Sequence, residues 1–296
     1  MIRRLLSQLA ALGAIAAVLV TLPVAAAQAA TACATAWSSS SVYTGGGQVS
    51  FEGRNYTAKW WTQNERPGTS DVWADQGPCG DGGGGEQPGP NDFVVSEAQF
   101  NQMFPNRNPF YTYSGLTTAL SSYPGFTNTG SVEVQRREAA AFLANVSHET
   151  GGLVYIKEIN EDNYPHYCDL SQPFGCPAGQ SAYYGKGPIQ LAWNYNYKAA
   201  GDALGIDLLN NPYLVEQDAS IAWRTGLWFW NTQSGAGTMS GHTAIVDGHG
   251  FGESIRSING SIECNGGNPG QVQSRINTFT QFTQILGTTT GSNLSC

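Results

Sequence analysis

SVEVQRREAAAFLANVSHETGGLVYIKEIN, residues 131–160, begins as a helix and ends with two glutamates on either side of a Gly-Gly pair. Ser131 is a suitable N-cap, because a serine side chain can accept a hydrogen bond from the first turn of a helix. Apolar residues then recur with helical spacing: Ala139, Phe142, Leu143 and Val146. Gly151 and Gly152 end this pattern. The stretch therefore predicts a helix with one buried face that stops before Gly151.

Glu149 lies at the edge of the predicted buried face. It follows Phe142 by seven residues, which at 3.6 residues per turn places it only about 20° away around the helix. A carboxyl that is partly removed from water at this position can act as a general acid. The alternative is a surface glutamate at a frayed helix end, and this stretch by itself favours that alternative.

Glu158 lies beyond the glycines in a segment, residues 153–158, that we interpret as a short β-strand. If the chain turns back at the glycines, Glu158 faces Glu149 across a groove. Two carboxyls across a cleft are what glycoside hydrolysis requires, since one protonates the leaving oxygen and the other activates water or attacks carbon. Two alternatives stay open: an ion pair of Glu158 with Lys157 or another base, and a charged rim shared with the acidic residues that follow.

The first thirty residues have the features of a secretory signal peptide. Arg3 and Arg4 form a basic start, residues 9–20 are an apolar run, and Ala27-Gln28-Ala29 matches a small-residue cleavage site. An uncleaved membrane anchor is the alternative, but the run is short for a bilayer span and no second apolar stretch follows. We therefore predict a secreted, extracellular protein without a membrane partner.

The composition disfavours nucleic acid and anionic membranes as partners. The chain of 296 residues has a formal net charge of −8, and removal of residues 1–30, which hold two arginines and no acidic residue, would make it −10. Nucleic acid and anionic membranes both require clustered Lys and Arg. Only 12% of the residues are charged, so the surface suits a neutral, polar ligand.

The six cysteines indicate disulfides, because the chain is predicted to be exported. Six cysteines can pair in several ways, but their grouping along the chain suggests three local pairs: Cys33–Cys79, Cys168–Cys176 and Cys264–Cys296. A zinc site is the alternative, but the sequence has no CxxC pair and its four histidines are scattered. We therefore predict neither a metal nor an organic cofactor.

A linker divides the mature chain into two pieces. Residues 81–90, DGGGGEQPGP, contain no apolar anchor and consist mostly of glycine and proline, a composition typical of flexible linkers. The long piece, residues 91–296, is large enough to bury one substantial core. The short piece, residues 31–80, is near the lower limit and needs a covalent link such as Cys33–Cys79.

The short piece alternates apolar and polar residues between glycine turns, which predicts a small antiparallel β unit. It contains half of the chain's eight tryptophans: Trp37, Trp60, Trp61 and Trp73. A domain of this size cannot bury four indoles, and adjacent strand residues point to opposite faces, so we expect at least one of Trp60 and Trp61 to be exposed. Exposed aromatic rings can stack on sugars; the alternative is that all four indoles belong to the core.

The motifs of the short piece are Ala36-Trp37, YTGG at 43–46, AKWWT at 58–62, Pro67-Gly68 and Trp73. With these motifs, nearly all of residues 33–79 resembles a family 5/12 carbohydrate-binding module. Members of that family typically bind chitin or cellulose. The resemblance implies that Tyr56, Trp60 and Trp61 contact sugar.

The motifs of the long piece are AFLANVSHETGGL at 141–153, YIKEIN at 155–160, YYGKGPIQLAWNYNY at 183–197, LWFWNT at 227–232 and SINGSIECN at 257–265. In this order and spacing they resemble a glycoside hydrolase family 19 chitinase of the compact bacterial type. The resemblance implies a mainly α, lysozyme-like catalytic domain with a small β element on one wall of a cleft. It also implies hydrolysis of β-1,4-linked N-acetylglucosamine with inversion, for which Glu149 is the general acid and Glu158 the general base.

Further cleft residues carry over by their positions in these motifs. Gln190 and Asn196 match amide side chains that contact sugar, and we expect Tyr184 and Tyr195 to line the wall. Another group matches polar residues near the catalytic base: Asn259, Arg275 and Glu263. We interpret His148 as structural, and Trp228 and Trp230 as core because LWFW is apolar throughout.

Two residues depart from the family pattern. Ala192 stands where the family commonly has a serine whose hydroxyl helps to hold the attacking water, and alanine offers no hydrogen bond. Lys186 stands where arginine is frequent, which keeps the positive charge but loses the planar fork of donors. The sequence therefore predicts reduced turnover rather than loss of activity.

The whole sequence predicts a secreted, monomeric endochitinase with chitin or chitooligosaccharides as its partner. Ala192 motivates one alternative, a chitin-binding protein with little or no catalysis. A second alternative keeps the hydrolysis and changes the polymer to peptidoglycan, because lysozyme-like folds share that chemistry.

Overall fold

The computed structural model describes residues 33–35, 37–38, 41–51, 54–79 and 93–296. The predicted signal peptide, residues 1–30, and the predicted linker, residues 81–90, lie outside these ranges. No helix within the described ranges is long and apolar enough to cross a membrane.

The N-terminal region is a small antiparallel β unit, as predicted. It contains β1 (Val42–Tyr43), β2 (Gln48–Phe51), β3 (Arg54–Ala58), β4 (Thr62–Gln63) and β5 (Trp73–Pro78). Strands β2, β3 and β5 form one sheet in that order, and β1 pairs with β4. A small apolar core lies on the sheet: Val49, Tyr56, Ala58, Val72 and Trp73. The Cys33–Cys79 disulfide joins the two ends of the unit.

Both tryptophans of the AKWWT motif are exposed, Trp60 by 56% and Trp61 by 60%. This confirms the predicted exposure, but for a different reason than strand alternation, because both residues lie in the bend between β3 and β4. The prediction that Tyr56 contacts sugar is wrong. Its side chain is only 6% exposed and packs in the core of the unit.

The region from residue 93 to 296 is mainly α. Its helices are α1 (Glu97–Met103), α2 (Tyr113–Ala119), α3 (Val132–Thr150), α4 (Asn194–Leu204), α5 (Leu214–Gln217), α6 (Ala219–Thr232), α7 (Gly241–Val246), α8 (Phe251–Glu263) and α9 (Pro269–Ile285). Three short 3-10 helices connect them: Leu120–Ser122, Glu161–Tyr167 and Gln180–Ala182.

Helix α3 forms the centre of this region. It begins after Ser131, whose hydroxyl accepts from the Val134 N–H at 3.4 Å, as the sequence predicts. Every residue from 138 to 146 is buried, so the helix is enclosed on all sides rather than on one face. The four alanines of this run permit the close approach of neighbouring helices, among which α9 contacts α3 most extensively.

Two glycines with positive φ end α3 and reverse the chain. Gly151 has φ 60° and Gly152 has φ 82°, a region that glycine adopts without steric cost. The Gly152 N–H donates to the Ser147 carbonyl at 2.8 Å, which is typical of a helix C-cap. A Cβ atom on Gly151 would lie 2.9 Å from the Tyr155 ring, so the turn is also closely packed.

The predicted strand over residues 153–158 does not form. Leu153 has φ 61°, and the Thr150 carbonyl accepts from both the Val154 and Tyr155 N–H groups, so the segment continues as a turn. Throughout residues 93–296 the structure has no extended strand. The small β element consists instead of isolated bridges, in which Lys186 pairs with Lys157 and with Leu191.

The core and the disulfides agree with the sequence analysis. Trp228 and Trp230 are buried, as predicted. The structure forms the three predicted disulfides, Cys33–Cys79, Cys168–Cys176 and Cys264–Cys296, so the zinc alternative is wrong for the cysteines.

A buried carboxyl links α3 to α6 and α7. Glu138 is fully buried and accepts from Trp230 Nε1 at 3.0 Å and from the Thr127 N–H at 2.8 Å. His242 Nδ1 lies 2.6 Å from the same carboxyl. The hydrogen bond to Glu138 raises the pKa of His242 against the opposing effect of burial, and the charges of Glu138 and Asp247 add to the rise.

We expect His242→Gln to destabilise the protein more in acid than in base. The raised pKa means that the charged pair contributes fully below the unfolded pKa of about 6.5 and is lost as the pH rises through the folded value. The free energy of unfolding should fall by about 1.5–3 kcal/mol at about pH 5.5 and by less at about pH 8.5. Urea unfolding at both pH values measures this, with His249→Gln at an exposed position as the control. An equal loss at both pH values would contradict a charged pair.

Candidate active site

Glu149 is held by a buried arginine. It lies in the last turn of α3 with 18% of its side chain exposed, and Glu149 Oε1 accepts a hydrogen bond from Arg275 Nη2. Arg275, on α9, is completely buried. The alternative of a solvated glutamate at a frayed helix end is therefore wrong.

Arg275 uses its guanidinium to join three helices. It donates to both carboxylate oxygens of Glu263, at 2.8 and 2.6 Å, and to Asn145 Oδ1 at 3.0 Å. Such a two-pronged contact with a carboxylate is the geometry that guanidinium favours. Burial alone would raise the pKa of Glu263, but the hydrogen bond and charge of Arg275 hold it below its usual value. Glu263 therefore stays ionised and neutralises the buried cation.

Asn259 completes this network from within α8. Its Nδ2 donates to Glu263 Oε1 at 2.8 Å, and its own backbone leaves the helical region, with φ −140° and ψ 29°. The sequence predicts that Asn259, Arg275 and Glu263 lie near the catalytic base. The structure shows a direct contact of this group with Glu149, the predicted acid, and its position near the base stays a prediction.

His148 lies beside the same network. Its pKa is lowered, first by burial and then by the positive charge of Arg275. A neutral imidazole adds no second cation to the network. Its position is therefore consistent with the structural role expected from the sequence.

The main chain of Glu158 is fixed on both sides. Its N–H donates to the Gly185 carbonyl at 2.8 Å, and its carbonyl accepts from the Tyr164 hydroxyl at 2.9 Å. Lys157, which the sequence analysis considered as an ion-pair partner, lies 3.5 Å from Glu161 instead. The ion-pair alternative for Glu158 and Lys157 is therefore wrong.

The side chain of Glu158 has one bonded and one free oxygen. Oε1 accepts from Asn163 Nδ2 at 2.7 Å, whereas Oε2 is buried and has no hydrogen-bond partner in the described part of the chain. The Tyr167 ring also lies at this carboxyl. Burial, together with a contact with Glu158, raises the pKa of Tyr167 to about 12. A buried carboxylate oxygen without a donor is a suitable acceptor for a proton from water.

The GPIQLAWNYN run lies beside the Glu158 segment through the Lys157–Lys186–Leu191 bridges. Gln190 has φ 51° and donates to the Gly187 carbonyl at 3.0 Å, and Asn196 donates to the Ala192 carbonyl at 2.9 Å. Both amides therefore have part of their hydrogen-bonding capacity committed within the run. Tyr195 is 37% exposed and so remains available to a ligand.

Tyr184 does not line an open wall, and that prediction is wrong. Its ring is 4% exposed and stacks on Tyr164 with centroids 3.6 Å apart. Its hydroxyl donates to the Glu216 carboxylate at 3.1 and 3.2 Å. Tyr184 therefore packs against Tyr164, which in turn holds the main chain of Glu158.

Four residues at this side of the site were not predicted from the sequence. Asn163 and Tyr164 hold Glu158, and Tyr167 lies at its carboxyl. Trp193, with φ 77°, stacks on Tyr195 with centroids 5.6 Å apart. The run NYPHY at 163–167 contains two tyrosines within nine positions of Glu158, a signal that could have indicated this role.

The structure thus forms two groups, one around Glu149 and one around Glu158, and no hydrogen bond joins them in the described ranges. Among the described residues, no set of three or more His, Cys, Asp or Glu side chains is close enough to hold a metal ion.

Comparisons with known proteins agree with these features. The sequence model of the family described as chitinase class I matches residues 94–296, and that of carbohydrate-binding module family 5/12 matches residues 36–74. Endochitinase A of Zea mays is 42% identical over 250 residues, which are 77% of this chain and 85% of that protein.

Two solved structures are also similar. Chitinase C from Streptomyces griseus HUT6037 is 77% identical, with a TM-score of 0.68 over 89% of this chain and 100% of that chain. The family GH19, class IV chitinase from Zea mays is 44% identical, with a TM-score of 0.61 over 69% of this chain and 98% of that chain. The mainly α body has the lysozyme-like fold that the sequence predicts. The chain therefore belongs to the chitinases of glycoside hydrolase family 19 and carries a family 5/12 carbohydrate-binding module.

Proposed function

We propose that this protein is a secreted endochitinase that hydrolyses β-1,4 bonds between N-acetylglucosamine units with inversion. The observation that carries the proposal is the arrangement around the Gly151–Gly152 turn. Glu149 is held by Arg275 before the turn, and Glu158 is held by Gly185, Tyr164 and Asn163 after it. Membership of the family and the N-terminal module support chitin as the substrate.

In the proposed reaction, Glu149 donates its proton to the glycosidic oxygen as the C–O bond breaks. A water molecule attacks the anomeric carbon from the opposite face and transfers a proton to Glu158, for which the free Oε2 is suited. Glu158 ends protonated and Glu149 ionised, and exchange with solvent restores both. An inverting pair requires a separation of roughly 6.5–9.5 Å to admit the water.

We propose that Trp60 and Trp61 bind solid chitin, since both are exposed on the module. The module then raises the local concentration of substrate around the catalytic region without changing the chemistry. Gln190, Asn196 and Tyr195 are proposed as sugar contacts in the catalytic region, and the protein is proposed to act as a monomer.

We expect Glu149→Gln and Glu158→Gln each to lower kcat by about 10²–10⁴-fold, because each removes one proton-transfer group without changing its shape. Proton NMR of the products of N-acetylglucosamine oligomers measures the rate and the anomer together. Wild type should release the α-anomer first. Glu161→Gln, at an exposed carboxyl in the same segment, is the control.

Release of the β-anomer would refute inversion, and full activity of either variant would refute its assigned role. The same assay separates the two alternatives. A binding protein would release no product, and a peptidoglycan hydrolase would clear bacterial cell walls but leave the oligomers intact.

We expect Ala192→Ser to raise kcat about fivefold, because a hydroxyl at this half-buried position adds one hydrogen bond worth about 1 kcal/mol to the attacking water. Steady-state kinetics on a soluble oligomer measure the change. Ala199→Ser, at an exposed position on α4, should leave kcat unchanged. An unchanged or lower kcat in Ala192→Ser would show that this position does not limit turnover.

We expect Trp60→Ala and Trp61→Ala each to weaken adsorption to insoluble chitin by about tenfold, roughly 1.4 kcal/mol, through loss of ring stacking. Binding isotherms measure the loss, and Val42→Ala tests an exposed apolar residue elsewhere on the module. Activity on short soluble oligomers should not change. An equal loss on soluble and solid substrates would contradict a tethering role.

A further inference from the structure

Lys186 is a buried cation that lacks an ion pair. It is completely buried, and its ammonium donates to the Ala182 carbonyl at 2.6 Å and to the Tyr197 hydroxyl at 3.2 Å. No carboxylate lies within salt-bridge distance of it in the described part of the chain. A buried charge is costly unless other groups stabilise it, so the aromatic rings around Lys186 have to supply the stabilisation.

The principal partner of this cation is Tyr184. The Lys186 ammonium lies 3.4 Å from the centroid of the Tyr184 ring, and the Tyr164 ring stacks on Tyr184 at 3.6 Å with an interplanar angle of 10°. An ammonium and a second ring cannot occupy the same face at these distances, so Tyr184 has the cation on one face and Tyr164 on the other. The Tyr184 hydroxyl donates to the Glu216 carboxylate, which restricts movement of the ring between these two partners.

This stack ends at Glu158. The Tyr164 hydroxyl donates to the Glu158 carbonyl. Backbone hydrogen bonds also join the Glu158 segment to the residues on either side of Lys186. The Glu158 N–H donates to the Gly185 carbonyl, and the Gly187 N–H donates to the Ile156 carbonyl at 2.8 Å. Direct contacts therefore connect Lys186 to Tyr184, Tyr184 to Tyr164 and Tyr164 to Glu158.

We infer that Lys186 is a positioning residue, whose positive charge holds the Tyr184–Tyr164 stack against the main chain of Glu158 and so orients the Glu158 carboxyl. The inference rests on the proposed role of Glu158 as general base. It assigns no contact between Lys186 and substrate.

The charge of Lys186 is sensitive to pH. Burial lowers the pKa of Lys186 to about 7, the charge of Glu216 opposes this shift and that of Lys157 adds to it. The other titratable groups that face the ammonium are the phenols of Tyr184, Tyr197 and Tyr213. Since the folded pKa is lowered, Lys186 is charged below about pH 7 and neutral above it. The cation–π attraction is then lost as the pH rises, and kcat should fall with it.

The first test compares Lys186→Arg with wild type, because arginine stays charged over the whole range. We expect the wild-type kcat on a soluble oligomer to fall above about pH 7 and the midpoint of that fall to rise by at least about one pH unit in Lys186→Arg. Lys198→Arg is the matched control, since Lys198 is a partly exposed lysine that also lies over an aromatic ring, Phe174, at 5.8 Å. An unchanged midpoint in Lys186→Arg would overturn the inference.

The second test removes the charge. At about pH 6, Lys186→Met should lower kcat about tenfold and change KM less than twofold, because the carboxyl is misplaced while the sugar contacts remain. Circular dichroism and thermal unfolding verify that the variant is folded. An unchanged kcat in a folded variant would overturn the inference.

A third variant keeps the test decisive if those substitutions disturb the packing. Tyr164→Leu breaks the route between Lys186 and Glu158, so adding Lys186→Arg to it should no longer move the midpoint. A midpoint shift of the same size in the Tyr164→Leu background would show that Lys186 acts by another route. Glu158→Gln distinguishes this failure from that of the proposed function: if it is inactive at about pH 6, the base role stands whatever the Lys186 variants show.

Discussion

The catalytic region depends on the neutralisation of one buried cation. Arg275 lies completely inside the protein, where an uncompensated charge would cost several kcal/mol. It is compensated by Glu263, by the amide of Asn145 and by Glu149, which bring α8 and α3 to α9. Glu263 balances the charge of Arg275 through two hydrogen bonds, so the contact with Glu149 is additional to this ion pair. The same group therefore joins three helices in the core and holds the partly exposed Glu149 carboxyl at its edge.

The two sides of the site are built by different interactions. Glu149 is on a regular helix whose middle is buried on every side, so its position follows from the packing of α3. Glu158 lies on a segment without regular structure, where no helix or strand fixes the backbone. Its N–H, carbonyl and carboxyl are therefore each held by a separate residue, namely Gly185, Tyr164 and Asn163. Loops can carry catalytic groups only when a rigid framework positions them.

Local features were predictable from the sequence, and long-range contacts were not. The limits of α3 follow from Ser131 and Gly151, since caps act within one turn. Two failures share a cause: Tyr56 was expected to contact sugar and Tyr184 to line the cleft wall, but tertiary partners bury both side chains. The contact between Arg275 and Glu149 was not predicted, because the two residues lie 126 positions apart in the chain and no pattern in the intervening sequence specifies which carboxyl Arg275 meets.

Lys186 is proposed to position the Glu158 carboxyl through other residues, without contacting it. Lys186 contacts neither glutamate, and its ammonium is stabilised by a carbonyl, a phenol and the face of Tyr184 rather than by a carboxylate. A full ion pair at that place would keep the lysine charged at all ordinary pH values, because an adjacent carboxylate opposes the effect of burial on the pKa. Glu216 instead accepts a hydrogen bond from the Tyr184 hydroxyl and forms no ion pair with Lys186. The pKa of Lys186 therefore lies near neutral pH. The charge that is proposed to position the Glu158 segment then depends on the pH of the solution.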